Sequence, residues 1–148
     1  MMKSMTSLSF PDINVWLALI REDHVHRGAA VRWWNTDPSD SIAFCRFTQI
    51  GVLRLLTTPA AMNGRPLSMA DAWRVYDSLL EDERVTFLPE PTQMDDHFRK
   101  RSSLKTASAK LWADAYLEAF AKKVNGTLIT FDKGFTGRGI HCRVLAGG

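Results

Sequence analysis

The sequence is short of every device that stabilises or equips a domain without a packed core. It has only two cysteines in 148 residues. Cys45 and Cys142 fall near the ends of two separate expected strands, without metal-type spacing, so two reduced thiols are expected rather than a disulfide framework. His24, His26, His97 and His141 show no zinc spacing either. No apolar run approaches the ~20 residues that cross a bilayer. The stretch Met1-Met2-Lys3-Ser4-Met5 lacks the apolar segment of a secretory signal, and a cytoplasmic protein is expected. There is no internal repeat, low-complexity tract or linker. Gly134, Gly137 and Gly139 follow a strand pattern but open no helix in the G-x-G-x-x-G order, and no Walker A sequence occurs. No serine or cysteine stands in a nucleophile elbow. These absences argue against transmembrane helices, disulfide-rich modules, zinc fingers, dinucleotide enzymes, P-loop NTPases and elbow-type hydrolases.

What is present is ordinary in amount and informative in order. The apolar fraction of 45% and charged fraction of 24% suit a globular protein. A chain of this length reads as one domain, residues 1–148, able to bury roughly 70% of its unfolded surface. The net charge of +3 says little as a total, but the basic residues are unevenly spread. Arg99, Lys100, Arg101, Lys105 and Lys110 crowd one stretch, and Lys122, Lys123, Lys133, Arg138 and Arg143 follow. Such a run is either a solvated face or a surface for phosphates.

Hydrophobic periodicity alternates between short apolar runs and amphipathic stretches, the pattern of an α/β domain on a mainly parallel sheet. Strands are expected at residues 7–10, 42–45, 85–88, 127–131 and 140–145. Helices are expected at 12–20, 25–34, 47–56, 68–80, 94–101 and 107–124. Asp12 or Asn14 is placed to cap the first helix and Ser68 the fourth. Asn125-Gly126 stops the last. Parallel sheets put functional groups at the carboxyl ends of their strands. Asp12 follows the first strand, Gln49 the second and Asp132 the fourth, while Asp114 rides the helix leading into that fourth strand. Three carboxylates far apart in sequence therefore have a route to one sheet edge.

Clustered carboxylates need a cation or a shared proton. Two of them ~4 Å apart repel by about 4 kcal/mol at an effective dielectric of ~20. An all-oxygen set favours Mg²⁺ or Mn²⁺ over zinc. In phosphodiester cleavage such an ion activates water, holds a phosphate oxygen and neutralises the leaving oxygen.

The residues around these acids resemble a known family. Ser9-Phe10-Pro11-Asp12-Ile13-Asn14-Val15-Trp16-Leu17-Ala18-Leu19 is similar to the opening strand and acidic turn of PIN domains. Thr48-Gln49-Ile50-Gly51-Val52-Leu53-Arg54-Leu55-Leu56-Thr57 resembles the third helix of VapC toxins. Trp112-Ala113-Asp114-Ala115-Tyr116-Leu117 and Leu128-Ile129-Thr130-Phe131-Asp132-Lys133-Gly134-Phe135 resemble their third and fourth acidic motifs. His24 and His26, with Ala29, Ala30 and Trp33, fit the second helix of that subfamily. The resemblance runs from about residue 8 to 145, with its motifs in order.

The resemblance implies a three-layer α/β/α sandwich on a five-stranded sheet, and a metal-dependent endoribonuclease acting as the toxin of a toxin–antitoxin pair. It implies Mg²⁺ or Mn²⁺ as cofactor, RNA as substrate, a VapB-type antitoxin as partner and a homodimer as assembly. It makes Asp12 the central metal ligand, with Asp114 and Asp132 completing the acidic site. Asn14 would cap the helix or support the ligands. Thr130, two residues before Asp132 on the same side of a strand, would hold a water beside the cation or simply favour the strand. Many PIN domains have Glu where the alignment of motifs puts Gln49, so three formal charges would stand in place of four. Arg99, Arg101 and Lys105, around a polar loop before the long helix, are expected to meet RNA phosphates. Arg54 would reach a phosphate or the acids, or make an ordinary salt bridge.

Other residues have plainer readings. Glu118, one turn after Asp114, would supply a further carboxylate or be solvated or paired with Lys122. Asp95-Asp96 suit a helix start. The pair His24/His26 is expected in a loop, and Trp33, Trp34, Trp73 and Trp112 in core or dimer packing. Two other classes compete with the nuclease: a degenerate PIN domain that binds RNA or protein without cutting, favoured only by Gln49, and a phosphoacceptor signalling domain. The latter would want paired acids after the first strand and a lysine after the fifth, where this chain has Pro11-Asp12 and Ala146-Gly147-Gly148.

Overall fold

Leu8–Pro11 forms the first strand, β1, because its apolar residues sit in the middle of a sheet covered on both sides. The structure is a computed structural model describing residues 7–135 and 139–146. Met1 to Met5, Gly137, Arg138 and the final Gly147-Gly148, invoked above, lie outside the described residues. The further strands are β2 (Ser41–Phe44), β3 (Val85–Phe87), β4 (Thr127–Thr130) and β5 (Cys142–Val144). The helices are α1 (Ile13–Ile20), α2 (Arg27–Thr36), α3 (Arg46–Leu56), α4 (Met69–Leu79), α5 (Asp95–Ser102) and α6 (Lys110–Val124). The strand order is β3-β2-β1-β4-β5 and every pairing is parallel. The sheet is therefore wholly parallel, where the sequence promised a mainly parallel one.

Alternation along the strands divides the core into two layers. Ile42, Phe44 and Ile129 face one side, where Val15, Trp16, Trp33, Val52, Leu56 and Tyr76 of α1 to α4 cover them. Phe10, Ala43, Cys45 and Leu128 face the other, where Leu117, Phe120 and Ala121 of α6 and Met94 pack. Trp16 stacks on Phe44 at 3.9 Å between ring centroids, and Phe10 on Phe120 at 4.9 Å. Such contacts contribute about 1 kcal/mol each beyond area burial. This is the three-layer α/β/α sandwich that the resemblance implied.

Asp12 and Ser68 cap α1 and α4 through their side chains. Asn125 ends α6 in the left-handed conformation that the Asn-Gly pair signalled. Most element boundaries shift by one to three residues from the sequence reading. The segment 107–109 precedes α6 rather than opening it, and β5 is shorter at both ends than residues 140–145. Cys45 is buried, Cys142 partly so, and both are free thiols. Among the described residues no helix is long and apolar enough to cross a membrane.

Candidate active site

The parallel register builds the site. Ser9, Phe10 and Pro11 of β1 pair with Thr127, Leu128 and Ile129 of β4. One step further, Asp12 N–H donates to the Ile129 carbonyl at 2.8 Å, which extends the ladder past a proline that has no N–H to give. Asp12 and Thr130 thereby emerge side by side at the carboxyl edge of the sheet. The Thr130 hydroxyl donates to Asp12 Oδ2 at 3.1 Å and accepts from Asp132 N–H at 3.0 Å. Asp12 Oδ1 accepts from Ile13 N–H at 2.7 Å, so the carboxylate also caps α1. Asp132 Oδ1 accepts from Gly134 N–H at 2.8 Å. A Cβ at Gly134 would lie 3.0 Å from that oxygen, tight enough that the carboxylate would have to give by a few tenths of an ångström.

Asp114 comes from α6, with only 17% of its side chain exposed. Lys110 lies one turn earlier on the same helix face. Its ammonium reaches Asp132 Oδ2 at 3.1 Å and Asp114 Oδ2 at 3.5 Å. The three acids act on one another. Burial pushes the Asp12 carboxyl above the ordinary carboxylate range, the donors Ile13 and Thr130 pull it back, and the negative charges of Asp114 and Asp132 raise it further. The hydrogen bond to Asp132, with the charges of Asp114 and Asp132, pushes Lys110 up.

These residues line an open cleft of about 720 Å³. Its other walls are Ile13 and Asn14 of α1, Gly51, Arg54 and Leu55 of α3, and His24, His26 and Phe131. The two histidines were expected in a loop without a function. They sit between α1 and α2, with His26 4.5 Å from the Phe131 ring and His24 Nδ1 accepting from His26 N–H at 3.0 Å. Their place at the cleft was hidden because the loop returns to β4 only in three dimensions.

Gln49 does not line this cleft. Its Oε1 accepts from Arg46 at 2.6 Å, and against the larger upward push of burial its side chain pulls the Tyr76 hydroxyl of α4 down. At 100° per residue, Gln49 and Gly51 point to nearly opposite sides of α3. The α3 position that faces the acids is Gly51, where a Cβ would collide with the Ile13 side chain. Asn14 is exposed and Asp12, not Asn14, is the cap.

The basic residues redistribute in the same way. Arg54 and Lys110 line the cleft; Arg99, Arg101 and Lys105 do not. Arg99 pairs with Asp95 at 2.6 Å on the surface, and Lys105 is exposed. Arg101 turns inward to Glu118, 3.9 Å away. Glu118 is therefore neither solvated nor paired with Lys122: it is 0% exposed, between α5 and α6. Lys122 reaches the Gly139 carbonyl instead. Trp33 is core, whereas Trp112 is 59% exposed.

The donor set fits a hard divalent cation. It is all carboxylate at its centre, it carries mutual repulsion, and it already attracts the ammonium of Lys110. Among the described residues no three acidic, imidazole or thiol groups close on one point as the side chains stand. Asp114 and Asp132 gather on Lys110, while Asp12 is held by Thr130.

Known proteins resemble this chain in sequence and in fold. The chain is 38% identical to Ribonuclease VapC41 of Mycobacterium tuberculosis over 141 residues, spanning 91% of this chain and 97% of that one. It is 32% identical to Ribonuclease VapC44 of the same species over 123 residues, 82% of this chain and 84% of that one. In fold it is similar to VapC20 of M. tuberculosis, a sarcin-ricin loop cleaving toxin. That likeness has a TM-score of 0.65 at 18% identity and covers 89% of this chain and 95% of the other. VapBC2 from Rickettsia felis, solved with a DNA fragment from its promoter, gives a TM-score of 0.63 at 10% identity, covering 94% and 99%. The sequence profile of the PIN domain matches residues 9–139. The chain belongs to the PIN-domain family.

Proposed function

We propose that this protein is a toxin endoribonuclease, held in check by a VapB-type antitoxin, that hydrolyses RNA phosphodiester bonds. The observation that carries the reading is the convergence of Asp12, Asp114 and Asp132 in one open cleft. Its relatives, the ribonucleases VapC41 and VapC44 among them, support it. Asp12, Asp114 and Asp132 would hold Mg²⁺ or Mn²⁺. Such an ion, when bound, supplies an activated water and neutralises charge on the phosphate and the leaving oxygen.

The chain's own residues do the rest. Thr130 and Ile13 N–H fix both oxygens of Asp12, so the carboxylate presents one orientation to the cleft. Gly134 N–H does the same for Asp132. Arg54 stands on the cleft wall to receive a phosphate of the incoming strand. Arg99 and Lys105 remain surface positions for flanking phosphates; Arg101 has a structural task and is set aside as an RNA contact. Gln49 supports α3 against α4 and is not assigned to the reaction.

We take residues 1–148 as one catalytic domain that works in the cytoplasm, where its RNA substrate is. A homodimer would account for the exposure of Trp73, Met69 and Ile50 on α3 and α4. Expression of the intact chain without antitoxin should arrest growth, and expression of the Asp12→Asn form should not. Normal growth at high levels of intact protein contradicts the toxin role.

A further inference from the structure

Among the described residues, Lys110 is the cleft cation whose position is set by two of the acids at once. Its side chain is 71% exposed, with open solvent available, and yet its ammonium lies 3.1 Å from Asp132 and 3.5 Å from Asp114. A long, solvated lysine loses rotamer freedom to hold such a place, so the attraction comes from the concentrated negative charge. The backbone makes the meeting possible. Lys110 and Asp114 share a face of α6, and that face looks onto the turn after β4 where Gly134 holds Asp132.

We propose that the Lys110 ammonium is a built-in counter-ion of the acidic cluster, exchanged for the divalent cation when the site loads. This rests on the reading that Asp114 and Asp132 are metal ligands. An ammonium against Asp132 Oδ2 and Asp114 Oδ2 competes with a divalent ion for the same oxygens, and the two cations repel at that separation. Loading therefore expels Lys110 from the carboxylates. The same flexible stem can then carry the ammonium to a phosphate of the RNA in the cleft. The exchange has a function for the unloaded protein: it relieves repulsion among three carboxylates while leaving a weak, readily displaced occupant.

The strength follows from the exposure. Solvated ion pairs are each worth little, so two lost together correspond to a change of about threefold to tenfold in metal affinity. The test is a calorimetric titration of the chelator-stripped full-length protein with Mn²⁺, in wild type, Lys110→Met and Arg54→Met, beside thermal melts of each. Lys110→Met should bind Mn²⁺ about threefold to tenfold more tightly than wild type. It should melt lower without metal and gain more from added Mn²⁺. Arg54→Met, which removes a cleft cation unpaired with these acids, should shift affinity less. Affinity for Lys110→Met equal to or weaker than wild type overturns the exchange, as does an equal tightening in Arg54→Met, which would mark a diffuse field effect. Failure of every form to bind Mn²⁺ overturns the metal-site reading itself, and the exchange with it.

Discussion

Asp132 and Asp12 are joined through a single hydroxyl: the backbone N–H of Asp132 donates to Thr130 Oγ1, which donates in turn to Asp12 Oδ2. Because the first bond occupies an acceptor lone pair, the Thr130 proton is directed at the carboxylate. A relay of fixed polarity thus ties the turn after β4 to the acid at the end of β1.

Removing that hydroxyl should cost both order and activity. Thr130→Val preserves shape but leaves a buried N–H without its acceptor, worth about 1–3 kcal/mol. Cleavage should fall by about tenfold to a hundredfold, the scale of losing a group that orients a ligand. Thr130→Ser should restore most of both. Paired melting curves and cleavage rates check this, and a Val variant as fast as wild type shows that Asp12 needs no such support.

Asp12→Asn should raise stability in the metal-free protein in a pH-dependent way. Burial raises the Asp12 carboxyl above its unfolded value, so the folded state holds the proton longer and ionisation costs stability. That cost is absent below the ordinary carboxylate range and grows as pH rises through it to the raised folded value. The melting temperature of Asp12→Asn in chelator should equal wild type near pH 3 and exceed it at pH 7. A variant less stable at neutral pH contradicts the desolvated environment assigned to Asp12.

How far the sequence could be read depended on whether the signal was local. Among the described residues the six helices and five strands declared themselves through periodicity, capping residues and Asn125-Gly126; Asp12 and Asp132 were singled out by their places after strands, and Asp114 by its motif on the long helix. For Gln49 the motif fixes a helix but not its rotation, and two residues along a helix is more than half a turn, so Gly51 rather than Gln49 lines the cleft. Glu118 and Arg101 were read as surface charges because nothing in α6 alone shows that α5 covers it. His24 and His26 reach the cleft through a loop whose path no local pattern encodes.

The rotation of α3 has its own consequence. Gln49→Glu should leave Mn²⁺ affinity within error of wild type, since the side chain meets Arg46 and Tyr76. Gly51→Ala should destabilise the protein by about 1–3 kcal/mol through overpacking against Ile13, outweighing the gain in helix propensity. Calorimetry and denaturant titration measure these. Tighter metal binding by Gln49→Glu would return that residue to the acidic site.

Arg101 and its basic neighbours should separate cleanly. Arg101→Ala leaves the buried Glu118 charge without the guanidinium, at a cost of about 3 kcal/mol. Arg99→Ala and Lys105→Ala, on the surface, should stay within about 0.5 kcal/mol of wild type. Arg54→Ala should leave stability alone and reduce the salt slope of single-strand RNA binding by about 0.7, one phosphate contact. Fluorescence anisotropy with Ca²⁺ in place of Mg²⁺ reads the slope, and an unchanged slope removes Arg54 from the RNA path.

The central claim is that three aspartates in one cleft cut RNA with a divalent ion. The direct measurement is incubation of purified protein with total RNA, followed by mapping of new ends, with Mg²⁺, with chelator, and with the Asp12→Asn, Asp114→Asn and Asp132→Asn variants. The account predicts discrete cleavage ends from the wild type with Mg²⁺, none with chelator, and none from any folded variant. Cleavage that persists in chelator, or full activity in a folded variant lacking one of the three carboxylates, would contradict it.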